Sequence, residues 1–379
     1  MFDATIVRTM ADNDEGFHAT ETPWRRDPSE LTGRLTDWAK TAFGAGSVVA
    51  NVVAPDNGMS SESCLFDITL DGEMTQYVAR MAPLPHVIPV FQNYDIQLQA
   101  NAMNVVRANT NVPVPEVTHV ELDTAVLDTP FLVMKRLPGS APADMPPYVF
   151  GGWVCDLSEE GRETMQRNAV RTLVDLHELR PDNTDLAFLA RPDKGESALD
   201  QHLGHERDYY EWARGDVHYP LIERTFEWLE ANRPTLVNPT VLNWGDARIG
   251  NMLFEGPTPT AVLDWEMACL GPAEVDLAWM IFLHAFFQNM AVTYGMPGLP
   301  DFMRRSDMAA LYTEMSGRSV EALEWFEVFA ALRFATVSVR TTTRGVLYGQ
   351  QEAPAEPDDV IMFRGLLEQM LEGIYWEGR

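Results

Sequence analysis

The chain has 379 residues, with 56 acidic and 28 basic side chains and a formal net charge of −28. A charge of that sign, with no basic stripe, repels polyanions and excludes nucleic-acid binding and a general affinity for anionic membranes. Hydrophobic residues at 46% are enough to bury a large core, which excludes wholesale disorder.

Residues 1–26 are polar and without a clean period, and they read as an irregular extension. Met1-Phe2-Asp3 opens no basic-then-apolar pattern, so no signal peptide is expected. Asp27-Pro28 marks a helix start. Leu31, Leu35, Trp38 and Phe43 then share one helical face, and Gly44 is placed to end it. Short β-rich runs follow: Ser47–Val53, Cys64–Leu70, Gln76–Met81, Glu116–Glu121 and Phe131–Met134. Asp71-Gly72 supplies a hairpin turn. One helix, over 95–108, interrupts them and ends before Val112-Pro113-Val114-Pro115.

Beyond Pro138-Gly139 the pattern is mostly helical: 162–178, 218–231, 274–290, 306–316, 319–345 and 357–373. A short β-like pair, Met252–Phe254 and Ala261–Leu263, breaks the series. Leu277–Phe287 is about half of the ~20 residues a membrane span needs, and reads as a buried helix. Cys64, Cys155 and Cys269 are isolated, which supports neither a disulfide framework nor a zinc site, and cytoplasmic residence is expected. The expected division is an extension and helix (1–44), a sheet lobe (45–136) and a larger helical lobe (137–379).

The chemistry concentrates in Asn243-Trp244-Gly245-Asp246-Ala247-Arg248-Ile249-Gly250-Asn251, followed by Leu263-Asp264-Trp265-Glu266. Asp246 and Asn251 stand five apart, and Asp264 follows. Protein kinases use that Asp–Asn spacing in the catalytic loop, with a second Asp on the metal. A carboxylate orients the attacking hydroxyl, while an amide oxygen and a second carboxylate supply hard ligands for Mg²⁺. Arg248 is either a cation for the transferring phosphoryl group or a structural ion-pair partner.

With Gly271-Pro272 and Asp276-Leu277-Ala278 downstream, the pattern resembles the aminoglycoside phosphotransferase/choline-kinase-like family, in particular an actinobacterial branch of it. The resemblance covers nearly the whole chain. It implies an α+β, protein-kinase-like two-lobe fold, with an antiparallel sheet lobe and a helical lobe. It further implies ATP and Mg²⁺ as cofactors, Asp246 as catalytic base, and Asn251 and Asp264 on the metal. Asp276 would brace the catalytic loop, or cap the helix that follows, and Glu266 would assist near the metal. Trp244 stands where the family often has His.

The sheet lobe departs from the kinase pattern. The strand that should carry the phosphate-binding lysine reads Gln76-Tyr77-Val78-Ala79-Arg80-Met81, so its cation is Arg80. The chain has only three lysines, Lys40, Lys135 and Lys194, and none is placed to serve. Arginine can grip phosphate bidentately, although the two cations are not equivalent. Gln99 stands where the partner glutamate belongs, either bonded to Arg80 or as plain helix surface. Gly58, Ser60 and Ser61 are candidates to cradle phosphates. Val133, Met134 and Lys135 resemble the family's adenine-binding strand.

The expected partners are ATP and a small-molecule alcohol, with no nucleic acid and no membrane span. Asp208, Glu211, Asp216, Glu324 and Glu327, interleaved with Tyr209, Tyr210, Trp212 and Trp325, suit a cationic, aminoglycoside-like acceptor. The same aromatics at helical spacing also read as core. Two alternatives stand beside this one. One is the same chemistry on a hydroxyacyl thioester or another lipid-metabolism alcohol. The other is a catalytically weak, pseudokinase-like nucleotide-binding regulator, motivated by Arg80 and Gln99.

Overall fold

The computed structural model describes residues 24–55 and 60–376. Gly58 and most of the expected N-terminal extension lie outside the described residues.

Helix α1 (Pro28–Ala42) starts where Asp27 accepts the Ser29 N–H at 2.8 Å. Strands β1 (Val48–Val53), β2 (Glu62–Leu70) and β3 (Glu73–Met81) follow, then α2 (Ile96–Asn109), β4 (Val117–Glu121) and β5 (Phe131–Lys135). The five strands form one sheet in the order β1-β2-β3-β5-β4, with every pair antiparallel.

Period-two alternation divides the sheet between two cores. Phe131 and Val133 of β5, with Tyr77, Ala79 and Met81 of β3, pack under α1 against Leu31, Leu35 and Trp38. Leu132 and Met134 face the other way, against Ala100 and Met103 of α2 and the core of the helical part. Arg80 pairs in register with Leu132 and so shares this second face. The alternation of β3 thus aims the one cation of that strand into the cleft under the sheet.

The chain continues through α3 (Trp153–Asp156), α4 (Glu159–Leu176), α5 (Ala198–Arg214) and α6 (Pro220–Ala231). It then forms β6 (Val241–Asn243), the hairpin β7 (Met252–Glu255) and β8 (Thr258–Val262), and β9 (Cys269–Gly271). Helices α7 (Glu274–Thr293), α8 (Arg305–Ser316), α9 (Leu323–Leu347) and α10 (Arg364–Leu371) complete the described residues. Ser140 and Phe254 exchange backbone hydrogen bonds at 3.0 Å, which anchors the segment leaving β5 onto β7.

Three features differ from the expected elements. Helix α5 was not among the expected runs. Its Gly204 interrupts the pattern because a Cβ there would lie 2.2 Å from the Lys194 carbonyl. The paired strands β6 and β9 are three residues each, too short to show a period. The last helix begins at Arg364 rather than 357, since Asp358 turns inward to accept the Leu221 N–H at the start of α6. Helix α7 is apolar and long enough to cross a membrane, but most of it is buried within the protein.

Candidate active site

The site is assembled on the turn after β6. Asp276, fully buried in the first turn of α7, accepts the Trp244 N–H at 2.7 Å and the Gly245 N–H at 2.8 Å. His177 reaches the same carboxylate at 3.2 Å and the Tyr312 hydroxyl at 2.9 Å, so it is a packed helix histidine. Asp276 therefore braces the loop, as expected. It does not cap α7, whose cap position is Ala273. Gly245 holds φ +91°, and a Cβ there would lie 2.0 Å from the Met267 carbonyl oxygen. Only glycine fits that turn.

The turn presents Asp246. Its Oδ1 accepts the Trp279 indole N–H at 2.7 Å, and its Oδ2 accepts the Asn251 amide at 2.6 Å. Asn251 spends an N–H on Asp246, which leaves its amide oxygen for another ligand. The Leu263 N–H donates to the Asn251 carbonyl at 2.9 Å and draws Asp264 alongside. Asp264 sits at φ +62°, and the Trp244 indole N–H holds the carbonyls of Leu263 and Asp264 at 2.8 and 3.1 Å. Trp244 thus does structural work from the position where the family often shows His. The structure brings Asp246, Asn251 and Asp264 into one place.

Arg248 donates to both oxygens of Asp144 at 2.7 Å and lies 3.3 Å from Asp246. Burial opposes its charge, but Asp246 and Asp144 outweigh burial and raise its pKa overall. Of the two readings of Arg248, the ion pair is the one displayed.

Arg80 reaches across the cleft to Asp264 Oδ1 at 2.5 Å and Glu266 Oε2 at 3.0 Å. Its Nε donates to Gln99 Oε1 at 3.0 Å. Gln99 is 1% exposed, so it is a partner of Arg80 and not helix surface. Glu266 also accepts the hydroxyls of Ser60 and, at 2.6 Å, Ser61. Burial pushes the Asp264 carboxyl up to about 7; Arg80 counteracts this, while Glu266 and Asp246 add to it.

Val133 and Met134 are buried in the central strand β5, with the Val133 carbonyl accepting the Thr118 hydroxyl at 3.1 Å. Lys135, at the exposed end of that strand, pairs with Glu116 at 2.8 Å. Most of the acidic residues proposed for a cationic acceptor are already paired. Lys194 holds Asp208 at 2.6 Å, Arg214 holds Glu211 at 2.7 Å, and Arg305 holds Glu327 at 2.5 Å. Trp325 is buried core and Trp212 lies beneath Arg340.

Sequence reasoning missed Trp279, Arg333 and Glu206. Arg333 of α9 donates to the Gly245 carbonyl at 3.0 Å, stands 4.4 Å over the Trp279 ring, and lies 3.4 Å from buried Glu206. The signal was present as an isolated arginine inside the apolar run Ala330-Ala331-Leu332-Arg333-Phe334-Ala335, since a buried charge requires a partner.

Residues 58–305 match the phosphotransferase enzyme family. The chain belongs to this family. Among solved structures of the fold, a candidate aminoglycoside phosphotransferase from Ralstonia eutropha superposes with a TM-score of 0.64. It has 20% identity and covers 91% of this chain and 98% of its own. A thermostable mutant of APH(4)-Ia, in complex with ADP and hygromycin B, gives 0.53 at 14% identity, with 91% and 99% covered. At these identities the likeness carries the fold, which is the kinase-like two-lobe α+β arrangement.

Among curated proteins, the Mus musculus acyl-CoA dehydrogenase family member 10 is 27% identical over 251 residues. The match covers 60% of this chain and 21% of that protein. The Gallus gallus acyl-CoA dehydrogenase family member 11 is 26% identical over 318 residues, covering 78% and 37%. The chain therefore spans well under half the length of these relatives. Family membership and fold together make the protein a small-molecule phosphotransferase.

Proposed function

We propose that the chain transfers the γ-phosphoryl group of ATP, with Mg²⁺, to a hydroxyl of a small molecule. The nucleotide is held by residues 45–136 and the acceptor by residues 137–379. The observation that carries this reading is the convergence of Asp246, Asn251 and Asp264, fixed by the Asn251–Asp246 bond of 2.6 Å and the Leu263–Asn251 bond of 2.9 Å.

In the proposed reaction the acceptor oxygen bonds to the γ-phosphorus as the bond to the β–γ bridging oxygen breaks, leaving ADP. The hydroxyl proton passes to the Asp246 carboxylate. Trp279 and Asn251 fix that carboxylate from two sides, so it is oriented before the acceptor arrives.

The residues present fit a hard divalent cation. Asn251 keeps an amide oxygen, and the crowding of Asp246, Asp264 and Glu266 raises the Asp264 carboxyl, as carboxylates that lack a cation should. Asn251 and Asp264 would hold Mg²⁺, which supplies neutralisation of the phosphate oxygens. Arg80 is the only β3 cation available to grip phosphate, and Gln99 orients it without cancelling its charge. Arg80→Ala is expected to weaken AMP-PNP binding about tenfold, the scale of one charge-assisted contact, as measured by calorimetry. Unchanged affinity would remove Arg80 from the nucleotide site.

A second reading concerns the acceptor. The acidic groups that would attract a polyamine are largely paired internally, and the curated relatives carry acyl-CoA dehydrogenase names. Both observations favour a hydroxyacyl thioester, or a related alcohol of lipid metabolism, over an aminoglycoside. Incubating the purified chain with Mg·ATP and a panel of hydroxyacyl thioesters, hydroxy acids and aminoglycosides, read by ³¹P NMR, separates the classes. A new phosphomonoester with a thioester or hydroxy acid is expected. ATP binding with no monoester from any acceptor would favour the regulatory reading.

A further inference from the structure

The site described above leaves one cluster of cations without a role. Arg340 and Arg344 lie one turn apart on α9, and Arg344 is 3% exposed. Arg344 stands 4.1 Å over the Trp24 ring and Arg340 stands 4.2 Å over Trp212. Arg340 also donates to the Pro89 carbonyl at 2.9 Å. Among the described residues no carboxylate pairs with either, whereas Arg80, Arg248 and Arg333 each have one. Burial and the neighbouring arginines both oppose the charge of Arg344. In a chain carrying −28, two partly desolvated arginines without an acid are costly, and an anion would relieve that cost.

Arg344 faces a cleft of about 290 Å³, open to solvent. Trp24, Arg25, Ser60 and Ser61 contribute to its walls. The acid on its lining, Glu62, is already taken by Arg26 at 2.7 Å. Ser60 and Ser61 bond Glu266, so they separate the cleft from the carboxylates that Arg80 holds. An anion in the cleft therefore sits beside the phosphoryl-transfer site and not in it.

We propose that Arg344, with Arg25, binds an anionic group of the phosphoryl acceptor, a phosphate or a carboxylate. This rests on the reading that the chain phosphorylates an alcohol, and it narrows the acceptor to one carrying negative charge. A planar guanidinium matches either anion with two parallel N–H donors, and the surrounding aromatic faces restrict its motion.

The test uses the full chain and calorimetry. Mg·AMP-PNP is titrated first, and then inorganic phosphate or succinate is added with the nucleotide saturating. Wild type is expected to bind at least one anion at millimolar concentration. Arg344→Gln should weaken it about tenfold and leave AMP-PNP affinity unchanged. Arg344→Lys should restore part of the binding, because a point charge replaces the fork; it also decides the matter if the glutamine variant does not fold. Preference for phosphate or for succinate identifies the anion. The proposal is overturned if neither anion binds wild type, if Arg344→Gln binds them equally well, or if its loss falls on AMP-PNP. Failure of wild type to bind AMP-PNP would count against the phosphotransfer reading, and titrations without nucleotide would then decide the subsite alone.

Discussion

Asp246→Ala should lower kcat by about 10³-fold, within the range spanned by loss of a positioned proton acceptor, while AMP-PNP binds as in wild type. The expected split follows from what touches the carboxylate. Trp279 and Asn251 donate to it, and Arg248 balances its charge, yet the Arg80–Gln99–Glu266 cluster does not contact it. Asn251 retains a second bond, to the Asp246 backbone carbonyl at 3.2 Å, so its amide stays anchored in the variant. Arg248 retains both bonds to Asp144. The nucleotide half of the site is therefore left in place while the proton acceptor is gone. Steady-state turnover on the acceptor found by ³¹P NMR, alongside calorimetry, reads both quantities. A fall in kcat of less than about tenfold would mean that another group takes the proton.

Asp276→Ala should cost about 3–5 kcal/mol of stability, the usual scale for breaking a buried charged network, and reduce turnover sharply. Its carboxylate satisfies the N–H groups of Trp244 and Gly245 and receives His177, all without solvent. Alanine leaves those donors buried and unpaired, each at a cost of about 1–3 kcal/mol. The released turn carries Asp246, so stability and catalysis fall together. Asp276→Asn keeps one acceptor oxygen and should lose less of both. Urea unfolding and kcat on the three proteins test the coupling. A stable Asp276→Ala protein with normal kcat would show that Arg333 and the Gly245 geometry hold the turn unaided.

The fold was legible in the sequence wherever periodicity ran long. The strand alternation around Tyr77–Met81 and Phe131–Met134, and the helix over 95–108, were readable because one face of each is buried. Spacing alone brought Asp246, Asn251 and Asp264 together, since local chain geometry ties them within about twenty residues. What stayed hidden depends on contacts between distant segments. Trp279 reads as one more apolar helix residue until its indole N–H is seen at Asp246, and Arg333 lies 88 positions from the carbonyl it holds. The acceptor was misread toward cations for the same reason. Composition counts acidic residues, but only the folded chain shows that Lys194, Arg214 and Arg305 have claimed several of them.

Strand β5 divides its side chains between two cores, with Phe131 and Val133 on one side and Leu132 and Met134 on the other. Neither core can melt without stripping a wall from its neighbour. The two parts of the molecule are thereby joined into one cooperative unit, although a single strand segment passes between them. For a phosphotransferase that must keep Arg80 aimed across the cleft, the same wall acts as a mechanical reference: any tilt of the sheet is felt on both of its faces at once.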